Sequence, residues 1–248
     1  MIFPPFRGFV RTFVLICVGV FILEQIALFG PFGDGSLYRQ MIRMLGLEPQ
    51  LALRGLVYQL VTWVFLHGNL MHLVFNMFAF WMFGSLLQDT FGQKRFIKFT
   101  FLAAIFSALV IILFSLFDEM SFNTPTIGAS GIVFSILIAV SCLFPNQVVL
   151  FFFVFPMKMK YFAYLMVAFE FYALYSSNNQ GISNIAHLGG ALFGWLYVAW
   201  FNRSGRGGGR SNWFKTLMDQ LHQRRRRKHL RIIYPESKTR YHFEVGAL

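Results

Sequence analysis

Apolar residues run along this chain in long blocks broken by short polar interruptions. Six blocks can be drawn as helices: Phe9–Phe29, Asn69–Leu87, Phe96–Phe117, Thr126–Phe144, Met159–Tyr175 and Ile182–Phe201. A helix that crosses a hydrocarbon core needs roughly 17 to 25 mostly apolar residues, and the blocks fall in or near that range. A seventh apolar stretch, Gln147–Met157, is too short to span and is bounded by Pro145 and Pro156; an interfacial or buried connector is expected there. The loop Gly30–Gly68 is mixed. Within it Leu37, Met41, Met44 and Leu45 recur at helical spacing, as do Leu53, Leu56, Val57 and Leu60. Short amphipathic helices at the membrane interface are expected from that pattern.

Composition agrees with membrane residence. The 248 residues are 56% hydrophobic and include 33 Phe, with a mean hydropathy of +0.57, more apolar surface than a soluble domain of this size carries. Arg7 and Arg11 flank the start of the first block in the manner of a secretory leader. The block is long for one, and no small-residue cleavage site follows, so a retained span is expected. Cys17 and Cys142 lie in apolar runs and are expected to pack as small hydrophobes.

Charge sets the orientation. The net charge is +12, of which residues after Asn202 supply +9, from twelve Lys/Arg against three Asp/Glu. With the amino terminus inside, Arg7, Arg11, Lys94, Arg95, Lys98, Lys158, Lys160 and the twelve tail residues make nineteen inside charges, against Arg39, Arg43 and Arg54 outside. Six spans satisfy the cytoplasmic bias of Lys and Arg at every short loop, whereas five or seven would break the alternation. The expected fold is therefore an all-α membrane protein, a six-helix bundle over 1–202 with both termini cytoplasmic. A basic cytoplasmic tail is expected over 203–248. The tail opens on a flexible Gly-rich linker, Ser204-Gly-Arg-Gly-Gly-Gly209. It continues with an apolar face of Trp213, Phe214, Leu217, Met218 and Leu221, and then the basic run Arg224–Lys228. Contact with anionic lipids suits such a segment beside a membrane anchor, and nucleic acid is not expected as a partner. A bacterial inner membrane is the expected location, from the chain's compactness and the absence of a transit-like leader.

Polar residues inside apolar spans are costly and often functional, and four stand out: His72, Asn76, Ser130 and His187. Ser130 lies between Gly128 and Gly131 near a helix start, where free N–H groups and the helix dipole favour a developing oxyanion. Taken alone, it reads more readily as a small residue at a helix crossing. His187 has Gly190, Ala191 and Gly194 at i+3, i+4 and i+7, so a neighbouring backbone can come near its face. A neutral imidazole there can take a serine proton and return it to a leaving amine, although a lone buried histidine is more often a structural partner. Glu170 is the available acid for a third member, but nothing in the sequence supports it, and a dyad is simpler. His72 and Asn76 share a helical face and can donate to an oxyanion or clamp two helices. No HExxH or carboxylate cluster is present, so neither a metal nor another cofactor is expected.

As an ordered set these motifs resemble the rhomboid intramembrane serine proteases. The residues that carry the resemblance are His67-Gly-Asn-Leu-Met-His72-Leu-Val-Phe-Asn76, Gly128-Ala-Ser-Gly131, and Ala186-His187-Leu-Gly-Gly190 with Gly194. The resemblance covers about Phe9–Phe201. It implies Ser130 as nucleophile and His187 as base and acid, with His72, Asn76 and the Ser130 N–H as the oxyanion hole. It also implies that Gly190 and Gly194 support close packing of spans four and six, and that span five gates a substrate helix. Transmembrane proteins would be the substrates. Rhomboid-like proteins that bind membrane proteins without cutting them usually lack the serine or the histidine; this chain has both. A channel or carrier finds less support, because no inverted halves are evident. One departure is Tyr58-Gln59, where the family often carries Trp-Arg in the first loop, so loop anchoring is expected to differ.

Overall fold

Asn69 and Gly92 delimit a central helix of the bundle. The Asn69 side chain accepts the His72 N–H at 2.8 Å and starts α5 (Leu70–Phe91). Gly92, at φ 78°, ends it and opens α6 (Gln93–Ser115), so a single left-handed residue reverses the chain. The computed structural model describes residues 4–30, 35–151, 154–176 and 181–203. The chain is predominantly helical. α1 (Gly8–Phe29) is followed by the loop helices α2 (Ser36–Leu45), α3 (Pro49–Leu53) and α4 (Gln59–Thr62) and a 3₁₀ turn, Trp63–Phe65. After α5 and α6 come α7 (Glu119–Phe122), α8 (Ser130–Leu143), a hairpin of β1 (Val148–Phe151) and β2 (Phe155–Lys158), α9 (Met159–Ser176) and α10 (Gly181–Arg203).

Among the described residues α1, α5 and α6 each have the length and hydropathy of a membrane span, and α8 is apolar but only 14 residues long. The chain is a multi-pass membrane protein. α5 packs against α1, α6 and α8. Its Phe80 is fully buried and stacks on Phe13 of α1 with ring centroids 4.4 Å apart. The outward faces carry exposed Leu15, Leu23, Leu113, Phe169 and Tyr172, an apolar coat that suits lipid and not water.

Two expectations change in detail. The fourth apolar block does not begin as helix at Thr126. Thr126 forms an isolated antiparallel bridge with Leu47, Gly128 has φ 122°, and the helix starts at Ser130. The Gln147–Met157 stretch is an antiparallel hairpin, with Val148 opposite Lys158 and Leu150 opposite Pro156. Val148, Val154 and Phe155 are exposed, so it is not a buried connector. Pro156 is tolerated because a two-stranded ribbon has only edges. The expected tail over 203–248, with its apolar face and basic run, lies outside the described residues save Arg203, where α10 ends.

The first loop is held by Gln59, which is completely buried. Its Oε1 accepts the Glu48 N–H at 3.1 Å, and its Nε2 donates to the Arg43 and Met44 carbonyls at 2.9 and 3.2 Å. Thr62 adds an O–H donated to the Leu45 carbonyl at 2.6 Å. One amide therefore fastens α2, the turn before α3 and α4 together. Gln59→Ala would strand three backbone groups, each costing about 1–3 kcal/mol if left unpaired. Partial rehydration lowers the sum, and a loss on the order of 3 kcal/mol is expected, measured as thermal unfolding in detergent.

Candidate active site

Ser130 is the first residue of α8, and the segment before it is stitched to the first loop. Leu47 and Thr126 exchange two backbone bonds of 2.9 Å, and the Gly128 N–H donates to the Trp63 carbonyl at 3.0 Å. As the opening residue of a helix, Ser130 presents its N–H without an intrahelical acceptor. Its hydroxyl faces α10, where His187 Nε2 lies 2.6 Å from Oγ. Two side chains 57 residues apart in sequence thus meet at hydrogen-bond distance.

Small residues allow that meeting. A Cβ on Gly190 would collide with the Gly131 carbonyl, and one on Gly194 with the Ser135 carbonyl. A Cβ on Gly131 would lie 2.9 Å from Ser107 Oγ and 3.2 Å from the Ala186 carbonyl. The backbones of α8 and α10 are in direct contact along this seam. Ser135 Oγ bridges them, 2.8 Å from the Gly190 carbonyl and 2.9 Å from that of Gly131. Gly128 serves His72: with φ 122°, its missing Cβ would lie 2.6 Å from His72 Nε2. The His72 ring therefore lies against the backbone two residues before Ser130. Asn76 is buried one turn further along α5.

Four further residues shape the site. Phe134 stacks on His187 with centroids 4.6 Å apart and planes 7° apart, which fixes the imidazole plane. Ser135 makes the bridge just described. Glu170 of α9 is 7% exposed and brings Oε2 to 2.9 Å from His187 Nδ1. The carboxylate lies out of line with the ring N–H, so the contact is electrostatic and not a hydrogen bond. Glu24 of α1 is fully buried and accepts the His67 backbone N–H at 3.2 Å to each oxygen, tying α1 to the turn before α5. Phe134 had a signal in the sequence, being i+4 from Ser130. Glu24, Glu170 and Ser135 are joined to their partners only by the fold.

His67, in that turn, is fully buried with its ring 5.1 Å from the His72 ring. Burial pushes its pKa down to about 4, the charge of a protonated His72 adds to this, and the hydrogen bond with the Phe65 carbonyl opposes it. The folded protein keeps His67 neutral, whereas the unfolded chain takes up a proton below about 6.5. Stability from this group is complete above pH 6.5 and is lost as pH falls toward 4, by about 3 kcal/mol in all. The difference in unfolding free energy between the detergent-solubilised wild-type and His67→Gln proteins is expected to change by this amount across that window, with wild type losing more as pH falls.

Comparison with known proteins adds to this geometry. The family model described as "Rhomboid domain" matches residues 54–204, more than half of the chain. Rhomboid protein 1, mitochondrial, of Saccharomyces cerevisiae is 27% identical over 202 residues, covering 80% of this chain and 56% of that protein. Presenilin-associated rhomboid-like protein, mitochondrial, of Rattus norvegicus is 28% identical over 167 residues, covering 66% and 43%. Rhomboid-like protein 15 of Arabidopsis thaliana is 32% identical over 151 residues, covering 57% and 36%. The chain spans about half the length, or less, of these relatives. The mitochondrial relatives overturn the expectation of a bacterial inner membrane. That expectation rested on compactness and on the start of the chain, neither of which distinguishes the two membranes.

Proposed function

The chain belongs to the rhomboid family, and on that premise we propose that it is an intramembrane serine endopeptidase, with Ser130 as nucleophile and His187 as general base and acid. The observation that carries the proposal is the 2.6 Å contact between Ser130 Oγ and His187 Nε2. Nε2 takes the hydroxyl proton as Oγ bonds to the scissile carbonyl carbon, and the carbonyl π pair moves onto oxygen. His72, Asn76 and the Ser130 N–H receive that oxyanion. Collapse of the intermediate expels the amine, which leaves with the proton from Nε2. Water then repeats the sequence on the acyl-enzyme.

Six spans, α1, α5, α6, α8, α9 and α10, support this chemistry, with both chain ends on the Lys/Arg-rich side. The length of α8 supports a site below the membrane surface. Fourteen residues rise about 21 Å, against a hydrocarbon core of about 30 Å. If its far end reaches one interface, Ser130 lies roughly 10 Å beneath the other. Water must therefore enter from that side. A helical substrate must unwind there, because its carbonyls are otherwise hydrogen-bonded and shielded. α9 buries only Met159, Ala163 and Glu170 along its 18 residues, which suits an element that moves aside for a substrate helix. Transmembrane proteins are the substrates, and anionic lipids the partners of the basic tail. The relatives named mitochondrial support a mitochondrial membrane as the location.

Co-reconstitution with single-span proteins tests the proposal. Substrates carrying helix-breaking residues near the interface on the Ser130 side should be cut within the span, beside a small residue. A panel left intact, or cut only in its extramembrane parts, would contradict it.

A further inference from the structure

A carboxylate within a membrane domain is expensive, and Glu170 is a buried one. Its backbone carbonyl accepts from Asn184 Nδ2 at 3.5 Å, but its side chain is directed at His187 Nδ1, 2.9 Å away. The opposite edge of the same ring faces Ser130 Oγ at 2.6 Å, and Phe134 covers one face. Acid, imidazole and hydroxyl therefore lie in series across α9, α10 and α8.

We propose that Glu170 is the positioning residue of a Glu170–His187–Ser130 triad. The inference rests on the serine endopeptidase assignment and deepens it. With the carboxylate at Nδ1, the neutral ring carries its proton on that nitrogen, which leaves the Nε2 lone pair toward Ser130. When Nε2 takes the serine proton, Nδ1 keeps its own and the carboxylate takes none. The ring becomes a cation beside a fixed anion in a medium where that attraction is poorly screened. Its arrival draws the carboxylate into line with the N–H, as catalytic hydrogen bonds loose in the resting enzyme tighten during reaction. A purely structural Glu170 would brace α9 against α10 and have no effect on the reactivity of the serine.

The test uses the full chain in detergent and in proteoliposomes. The rate of fluorophosphonate labelling at Ser130, kcat and KM for a transmembrane substrate, and thermal unfolding are compared for wild type, Glu170→Gln and Glu170→Asp. Glu170→Gln is expected to lower labelling and kcat by at least about 10²-fold, with KM and unfolding little changed, and Glu170→Asp to restore part of the loss. A folded Glu170→Gln protein that labels and cleaves at the wild-type rate would overturn the triad while leaving the protease assignment intact. Wild-type protein that neither labels at Ser130 nor cleaves would overturn the assignment itself. A second measurement needs no variant: nitrogen-15 histidine NMR of the phosphonylated wild-type protein. A strongly downfield, exchange-protected proton on His187 Nδ1 is expected, and a solvent-exchanging one at an ordinary shift would overturn the triad.

Discussion

Ser130→Ala and His187→Ala should each reduce cleavage of a reconstituted transmembrane substrate to background, a loss on the order of 10⁶ in kcat by comparison with dissected serine hydrolases. A serine hydroxyl is a poor nucleophile until a base removes its proton, and the proposed base, His187, has its Nε2 2.6 Å from Ser130 Oγ. Loss of either partner removes the step that the other serves, so the double variant should be no slower than the single ones. Both variants should remain folded. Ser130 is only partly buried, and the seam between α8 and α10 is built from glycines and Ser135, not from the dyad. Initial rates in proteoliposomes, read beside thermal unfolding, separate the loss of chemistry from the loss of fold.

Gly190→Ala should cost less, but still heavily, and by a different route. The added methyl meets the Gly131 carbonyl, a backbone atom with no rotamer in which to yield. α8 and α10 must therefore separate. Gly190 is one turn from His187, and Gly131 adjoins Ser130, so the separation falls on the Ser130–His187 contact. A misplacement of about 1 Å can cost 10²-fold in rate, and overpacking of this kind costs about 1–3 kcal/mol of stability. A fall in kcat of at least about 10² is expected, with a lower unfolding temperature. Ser135→Ala is the control. It deletes the hydrogen bond to the Gly190 carbonyl but keeps the close approach. Interhelical bonds in membranes average about 0.6 kcal/mol, so cleavage should stay within about threefold of wild type. Close backbone approach is thus expected to matter more than this hydrogen bond at the α8–α10 seam.

Much of this was legible from residue order. Apolar blocks mark α1, α5 and α6 to within a few residues, because helix length and lipid contact leave a one-dimensional record. The serine, the histidines and the glycines announce themselves as polar or small residues in apolar surroundings. Features that depend on a partner far along the chain were not legible. Nothing near Gln59 indicates that it fastens three backbone groups of the first loop. Glu24 in span one gives no sign of His67, and Glu170 gives no sign of His187. The start of α8 is not legible either, because the pairing of Thr126 with Leu47 and the positive φ of Gly128 keep the segment out of the helix until Ser130. The hairpin at Val148–Lys158 is hidden for a different reason: its pairing is local, but the run alone has no decisive period.

Activation of the Ser130 hydroxyl by His187 inside the membrane domain is the step on which the proposed activity depends. Peptide mapping after fluorophosphonate treatment of the reconstituted protein tests it most directly. The expected result is a single phosphonyl adduct on Ser130 in wild type, absent from both Ser130→Ala and folded His187→Ala. An unmodified Ser130 in protein that cleaves its substrate, or labelling that persists undiminished in His187→Ala, would contradict it.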